Sequence, residues 1–330
     1  MNREYQARLE LFVDNVQAMK KHFKWHSGMM RRLAALLYTS EGVKIDGEAI
    51  RDSYDLIKKS TGLFSAFRGN IAVSIATLLS LADDRKRLLA NVISVYDRMK
   101  EEKFRASDYL VMAAYQIAAQ AESSQYARVV KRSKEFYDGM KAEHRLLTGR
   151  DDYIFAAMLG LSDVHTTAGI ERMERLYGEL KSKITSKNGL QTLTQVLVLG
   201  AEDTKITSRV LELRDAFRRS GMRMDKEYTV SSLGVLALLP TSIDMIVDQV
   251  IDVYEFLRKQ KGFSRWSVTK QELLLFSSAL VAFKNVQDAQ NGILTATIST
   301  SITNIIIAQQ TAIAVAAASS AAASSSSSSN

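Results

Sequence analysis

The chain of 330 residues contains no cysteine, one proline and sixteen glycines. The absence of cysteine excludes disulfides, thiolate zinc sites, iron–sulfur clusters and a cysteine nucleophile. So few turn-forming residues argue against an all-β protein. Ala, Leu, Lys, Arg, Glu and Met are abundant instead, and these residues favour helices. The composition therefore predicts an all-α protein.

The sequence predicts no secretory signal, and it has no long run of charge of one sign. Its first ten residues, MNREYQARLE, carry four charges and no apolar segment, so we expect a cytoplasmic protein. The net charge of +8 arises from 44 basic and 36 acidic residues. Because no run of Lys and Arg exceeds three residues, a solvated mixed-charge surface is favoured over a dedicated nucleic-acid patch.

One short phrase recurs along the chain with a period near 40 residues. Its copies are YDLIKK, YDRMKE, YDGMKA, YGELKS and YEFLRK, with degenerate copies VQAMKK and RDAFRR. They begin at positions 16, 54, 96, 137, 177, 214 and 254. The fourth residue of each copy is large and apolar, and the fifth is cationic. A period of this length is typical of helical-repeat proteins.

Each copy predicts an outer helix, because Val92, Val95, Tyr96 and Met99 lie at helical spacing on one face. A shorter and more apolar helix precedes or follows each copy. Its second position is small, as in LAALL, IATLL and FAAML, which lets a neighbouring helix approach closely. The pattern predicts seven helix pairs in an α/α superhelix, either an open solenoid or a partly closed ring, with residues 1–288 as one repeat domain.

Several residues have the spacing of helix N-caps, whose side chains satisfy the first backbone N–H groups. The predicted caps are Asp46, Asp83 or Asp84, Ser107, Ser124, Asp151, Asp203 and Thr241, together with a capping box formed by Thr269 and Glu272.

The cation in each copy of the phrase has two possible roles. It lies near the C-terminus of its helix, where a positive side chain complements the helix dipole. Alternatively, these cations form a ladder that binds an acidic partner or an RNA backbone. The candidate binding residues, to which the loop residue Arg68 is added, are Lys58, Lys100, Lys141, Lys181, Arg218, Arg258 and Arg68.

No charged residue follows Asp288. Residues 289–318 therefore predict an uncharged C-terminal helix that caps the array or joins copies of the chain, with membrane contact as an alternative. The density of Ser, Thr, Asn and Gln makes this segment a poor membrane span. Residues 319–330, rich in Ala and Ser, predict a disordered tail.

No phosphate-binding loop, dinucleotide fingerprint, nucleophile elbow or zinc-protease motif occurs in the chain. His22 and His26 are four residues apart, but no acidic residue or third histidine lies close by, so we predict no metal and no cofactor. The densest polar cluster is EHRLLTGRDDY at 143–153. Its weak catalytic candidates are His144, Asp151 and Asp152, although the two aspartates also suit helix caps.

Five stretches are similar to a known protein family: LFVDNV, RLAALLYT, FSAFRGN, ASDYLVMAAYQIA and TGRDDYIFAAMLGLSD. They resemble domain-of-unknown-function family 4003 of Gram-positive bacteria, over about residues 1–285. The resemblance implies a bacterial cytosolic protein of unassigned activity. It supplies no catalytic or binding residues.

These patterns favour a non-enzymatic scaffold whose concave face binds a protein or peptide. One alternative is an enzyme of the α/α-toroid kind, with catalytic carboxylates at the ends of its inner helices. An RNA-binding repeat protein is a second, less favoured alternative. The partner and the oligomeric state stay open.

Overall fold

The computed structural model describes residues 3–200, 205–290 and 296–327, and the fold of these residues is all-α, with no strand. The described helices are α1 (Arg3–His22), α2 (Gly28–Ser40), α3 (Gly47–Ser60), α4 (Ala72–Ser80), α5 (Arg85–Glu101), α6 (Asp108–Gln120), α7 (Tyr126–Glu143), α8 (Tyr153–Leu161), α9 (Thr166–Leu180), α10 (Lys187–Gly200), α11 (Ile206–Arg219), α12 (Glu227–Ala237), α13 (Ile243–Arg258), α14 (Lys270–Gln290) and α15 (Ala296–Ser327).

The recurring phrase lies on every odd-numbered helix from α1 to α13, and the short apolar segments lie on the even-numbered helices between them. The two sets differ in burial. Helix α5 buries residues of one face only, among them Val92, Val95, Tyr96 and Met99, whereas α8 buries every residue from Tyr153 to Gly160. A helix that is buried all round belongs to a core, and one with a single apolar stripe covers it. We call these sets the inner and outer helices.

The apolar residue of the phrase is buried in all seven copies, which confirms that it belongs to the core. The seven residues are Met19, Ile57, Met99, Met140, Leu180, Phe217 and Leu257, none more than 4% exposed. The small inner-helix residue also has the predicted role at Gly234. A β-carbon there would lie 2.7 Å from Cδ1 of Leu193 on α10, which is too close without repacking. Helices α10 and α12 therefore approach closely because this position has no side chain.

The chain separates into two compact units. Unit 1 comprises Met1–Leu9, Gly139–Leu147 and Val164–Gln310. Unit 2 comprises Glu10–Asp138, Thr148–Asp163 and Thr311–Asn330. Within unit 2, α2 contacts α4 and α6 contacts α8; within unit 1, α10 contacts α12 and α12 contacts α14. This division does not test the expectation that residues 1–288 form one repeat domain, which stays a prediction.

Helix starts follow the predicted caps in most places. Asp46, Asp84 and Ser107 accept hydrogen bonds from the first backbone N–H groups of α3, α5 and α6. Thr269 and Glu272 bond each other's backbone N–H groups, so the capping box is confirmed. Three predicted caps are wrong. Ser242 rather than Thr241 caps α13, and α7 begins at Tyr126 after a short 3₁₀ turn rather than at Ser124. Asp152 rather than Asp151 holds the N-cap position of α8, and its side chain makes no capping hydrogen bond to that helix. The predicted cap Asp203 lies outside the described residues.

Helix α15 continues to Ser327 and so enters the segment expected to be disordered. Alanine has the highest helix propensity of any residue, which explains how an Ala-rich segment extends a helix. The last three residues of that tail lie outside the described residues.

Candidate functional site

The uncharged helix α15 is buried rather than exposed along its middle turns. Ile302, Ile305 and Ile306 are at most 2% exposed, and Ala308, Gln309 and Gln310 are equally covered. Residues 308–310 point in different directions around the helix axis. The protein therefore surrounds this part of α15 on most of its circumference, as the lack of an amphipathic pattern in its sequence requires.

Two inner helices of unit 1 hold this segment through polar contacts. The side-chain amide of Gln309 donates hydrogen bonds to the hydroxyls of Ser231, at 3.0 Å, and Ser232, at 2.8 Å, both on α12. The amide of Gln310 lies 3.4 Å from the backbone carbonyl of Leu275 on α14. We call Ser231, Ser232 and Leu275 the tail-binding surface.

The polar contacts around this surface are incomplete. Oε1 of Gln310 and the hydroxyl of Ser278 on α14 are buried and have no hydrogen-bond partner among the described residues. A buried polar group without a partner costs about 1–3 kcal/mol. Burial of each isoleucine contributes about 1.5–3 kcal/mol in the other direction. Apolar contacts therefore contribute more than the polar contacts to holding α15 in place.

The cations of the recurring phrase are exposed except Arg258, which is half-buried. Three of them lie over the tyrosine four residues earlier. Nζ of Lys58 is 4.5 Å from the ring centre of Tyr54, Nζ of Lys100 is 5.7 Å from that of Tyr96, and the guanidinium of Arg258 is 5.2 Å from that of Tyr254. A cation over an aromatic face contributes about 0.5–1 kcal/mol at an exposed site. These pairs explain why tyrosine and a cation recur together.

Lys141, Lys181 and Arg218 are also exposed at the ends of their outer helices. Binding of an acidic partner by the seven candidate cations stays a prediction.

Arg68 and Arg258 both bind backbone carbonyl groups inside the protein. Arg68 donates to the carbonyls of Lys58 and Thr61, the latter at 2.5 Å, beyond the end of α3. Arg258 donates to the carbonyls of Phe263, at 2.9 Å, and Val268, at 3.0 Å. The last carbonyls of a helix have no partner within the helix. The geometry therefore gives Arg68 a structural role in addition to its predicted role in anion binding.

The weak catalytic candidates occupy different surroundings. Asp152 is 4% exposed, and its Oδ2 accepts a hydrogen bond of 2.8 Å from the backbone N–H of Gly149, as a helix-start residue does. Asp151 precedes it in the same 3₁₀ turn and is half-buried. The Asp152 contact closes the 3₁₀ turn, and the N-cap position of α8 has no side-chain capping hydrogen bond, so the predicted capping of α8 by this pair is wrong. Their catalytic role stays a hypothesis.

His144 is paired with a residue that the sequence analysis did not single out. Its Nε2 lies 2.9 Å from Oε1 of Glu174 on α9, and its ring centre lies 4.3 Å from that of Tyr177, with the two ring planes tilted by 44°. Burial raises the pKa of the Glu174 carboxyl above its usual range, and the nearby His144 opposes that shift. The arrangement forms a half-buried acid–imidazole pair.

His22 and His26 both have other partners. Nδ1 of His22 lies 2.6 Å from a guanidinium nitrogen of Arg51, and the ring of His26 packs edge-on against Tyr54 with centres 6.0 Å apart. Burial and the charge of Arg31 lower the pKa of His26. Among the residues that the structure describes, no group of three potential metal ligands converges.

Sequence reasoning missed the residues that contact α15. Ser231, Ser232 and Gln309 carry no motif, and 77 or 78 positions separate the serines from the glutamine. The one signal available was the uncharged, non-amphipathic stretch after Asp288, because such a helix is stable in water only when other elements cover it.

The family comparison covers most of the chain. Residues 15–311 match the family described as Protein of unknown function (DUF4003). The chain belongs to this family. The match reaches Thr311, so it includes the turns of α15 that contact the tail-binding surface. No curated protein and no solved structure matches this DUF4003 member. No helix among its described residues is both long and apolar enough to cross a membrane.

Proposed function

We propose that this DUF4003 protein is a non-enzymatic α/α-repeat scaffold that binds a helical segment of a partner protein on its inner helices, at the place α15 occupies. In this proposal the seven helix pairs are repeats of one α/α superhelix, which acts in the bacterial cytoplasm. The observation that carries the proposal is the pair of hydrogen bonds from Gln309 to Ser231 and Ser232.

These contacts support the proposal because they are side-chain contacts between an inner helix and an uncharged helix distant in sequence. A surface that accepts one such helix has the shape and polarity to accept a second of similar composition. The isoleucines of α15 indicate the apolar anchors that a partner needs, and Gln309 indicates a central amide. The ligand class is therefore an uncharged helix with isoleucine or a similar residue at i, i+3 and i+4.

The unpaired atoms around the site support exchange rather than permanent closure. A partner that pairs all its buried polar atoms avoids the free-energy cost that α15 bears at Oε1 of Gln310. The proposal therefore makes α15 an internal competitor, which lowers the apparent affinity for a partner by the fraction of molecules in which the site is occupied.

The test uses full-length protein and a labelled peptide with the sequence of residues 296–317. Ile306, which is fully buried, is replaced by Asp to weaken the docking of the protein's own helix. Thr303, half-buried on the same helix, is replaced by Asp as the matched control. Fluorescence anisotropy should show that I306D binds the peptide at least about tenfold more tightly than wild type, while T303D resembles wild type.

Replacing Ser231 and Ser232 by Leu in the I306D protein should abolish that binding, because the bulky side chains fill the site. If I306D is unfolded by circular dichroism, Gln309→Ala takes its place. A folded I306D or Q309A protein that binds the peptide no better than wild type would refute the proposal.

A further inference from the structure

The most exposed large apolar side chains of unit 2 lie in two loops. Trp25 is 89% exposed in the connection between α1 and α2, and Leu63 and Phe64 are 78% and 103% exposed in the connection between α3 and α4. Both connections follow an outer helix and lead into an inner helix. Three large apolar side chains with this degree of exposure in neighbouring repeats are typical of an interaction site.

Contacts between inner helices show that these two loops lie at the same end. Near the starts of α2 and α4, the hydroxyl of Ser74 lies 3.3 Å from the sulfur of Met30. Near their ends, the hydroxyls of Tyr38 and Ser80 are 2.7 Å apart. Helices α2 and α4 therefore run parallel, and the loops that precede them leave the unit on one side.

The same side carries mainly positive charge, although Asp55 lies 3.6 Å from Lys58 and the Asp108 carboxylate lies beside Gly69 of the second loop. Lys20, Lys21, Lys24, Lys58 and Lys59 are exposed at the ends of α1 and α3 or in the loop after α1. No Asp or Glu occurs within residues 20–40 or 58–82. We call Trp25, Leu63, Phe64 and these five lysines the basic loop surface.

The connections from inner to outer helices in unit 2 have the opposite composition. They carry the exposed acids Glu41, Asp46, Asp83, Asp84 and Glu122. Charge therefore differs between the two ends of α2 and α4, with lysines before these helices and mostly acids after them. The pattern is local to these helices, because Lys44 lies among the acids and the connection between α5 and α6 carries the exposed acid Glu102.

We propose that the basic loop surface docks unit 2 onto an anionic lipid bilayer, with Trp25, Leu63 and Phe64 inserted among the headgroups. Tryptophan is enriched at membrane interfaces, where its ring lies at headgroup level. Each lysine near an anionic leaflet contributes about 1 kcal/mol of attraction. Stable association needs both an apolar and a basic component, and this surface has both.

The chemistry of the surface favours lipid over nucleic acid and over a protein groove. Leu63 has no ring on which a base could stack. The exposed cations are all lysines, which act as point charges, while the nearby Arg68 uses its guanidinium on backbone carbonyls. The apolar side chains project from loops with almost complete exposure, whereas sites for proteins or ligands are usually packed depressions.

Unit 1 contains a loop of similar composition. In the connection between α13 and α14, Trp266 is 99% exposed, and Lys259, Lys261 and Arg265 are exposed beside it. Trp25 and Trp266 are the two tryptophans of the chain. Replacement of Trp266 by Phe therefore leaves Trp25 as the single tryptophan reporter, with an aromatic ring retained in unit 1.

The experiment mixes full-length W266F protein with lipid vesicles and follows both sedimentation and tryptophan emission. One vesicle set is pure phosphatidylcholine, and the other contains about one third phosphatidylglycerol. We expect co-sedimentation and a blue shift of Trp25 emission with the anionic vesicles alone, and a large loss of binding when salt rises from about 0.1 M to about 0.5 M.

Two variants in the W266F background separate the basic loop surface from the rest of the chain. The double substitution L63S/F64S should reduce anionic-vesicle binding at least about tenfold, while Val43→Ser should leave it unchanged. Val43 is the matched control because it is an exposed apolar residue, at 43%, in the connection at the other end of α2. Both variants should unfold at the temperature of their parent, since the replaced side chains are exposed.

Several outcomes would overturn the proposal. They are equal binding to neutral vesicles, no binding to anionic vesicles at low salt, and unchanged binding of L63S/F64S. Binding of a labelled single-stranded RNA in place of vesicles would assign the surface to nucleic acid instead. The peptide test of the inner-helix site is independent, so either idea can fail while the other stands.

Discussion

The side-chain amide nitrogen of Gln309 lies 2.8 Å from the hydroxyl oxygen of Ser232, and both residues are at most 1% exposed. This contact joins a helix without charged residues to an inner helix in the core of unit 1. A buried hydrogen bond of this kind adds little net stability while it is intact, but its loss is costly because the remaining partner is left unsatisfied.

Replacement of Gln309 by Ala should therefore lower the free energy of unfolding by about 1–3 kcal/mol, because the Ser231 and Ser232 hydroxyls lose their shared donor and a cavity forms. Urea denaturation followed by circular dichroism measures the change. Thr303→Ala on the same helix should cost less than about 0.5 kcal/mol. Equal midpoints for the two variants would show that the Gln309 contact does not stabilise the fold.

Local patterns predicted the helices and most of their starts, because the interactions that set them lie within one turn of the chain. Asp46 caps α3 through residues two and three positions ahead. Thr241 shows where this reasoning fails. Its hydroxyl bonds Oδ1 of Asn285, 44 positions away, and the cap of α13 passes to Ser242. Sequence spacing could not predict a partner at that distance.

The candidate site was less predictable for a related reason. An amphipathic helix reveals which face it buries, but α15 has no polar face and so indicates only that it is covered. Which helices cover it depends on packing between residues far apart in sequence, such as Gln310 and Leu275. The spacing of four residues was sufficient to predict that a pair such as Lys58 and Tyr54 lies on one helix face. The spacing could not show whether the cation contacts the tyrosine ring or a partner molecule.

Replacement of Arg258 by Lys or by Ala should lower the free energy of unfolding. Arg258→Lys keeps the charge but cannot reach the carbonyls of Phe263 and Val268 together as the guanidinium fork does. We expect a loss of about 1–2 kcal/mol in unfolding free energy for the Lys variant. Lys259→Ala, at the adjacent exposed position, should change stability by less than about 0.5 kcal/mol. Identical stability of R258K and wild type would mean that charge alone is sufficient at this position.

Glu174 should make stability depend on pH. Burial raises the pKa of its carboxyl in the folded state, so the protonated form stabilises the fold. That contribution is complete below the unfolded pKa of about 4.3 and is lost as pH rises through the folded pKa. Glu174→Gln should therefore gain stability relative to wild type between about pH 4 and pH 7. The effect is modest, since 33% of the side chain is exposed and His144 opposes the shift.

Urea midpoints measured across that pH range test the Glu174 prediction. Glu171→Gln serves as the control, because Glu171 is an exposed carboxylate on the same helix. The difference between E174Q and wild type should grow with pH, and that between E171Q and wild type should stay flat. A difference for E174Q that shrinks as pH rises would show that the ion pair with His144 outweighs the cost of burial.

Gly69 positions the loop that carries Leu63 and Phe64, because a β-carbon at residue 69 would lie 2.4 Å from Oδ1 of Asp108 on α6. Gly69→Ala should force either the loop or the Asp108 carboxylate to move and reduce stability by about 1–2 kcal/mol. Gly62 is the matched control in the same loop, since a β-carbon there meets no atom within 4 Å. Gly62→Ala should be neutral or slightly stabilising, because it restricts the unfolded chain. If lipid binding requires the loop to keep its position beside α6, G69A should also weaken binding to anionic vesicles, while G62A should bind as wild type does. Equal binding by the two folded variants would show that the loop binds lipid without support from α6.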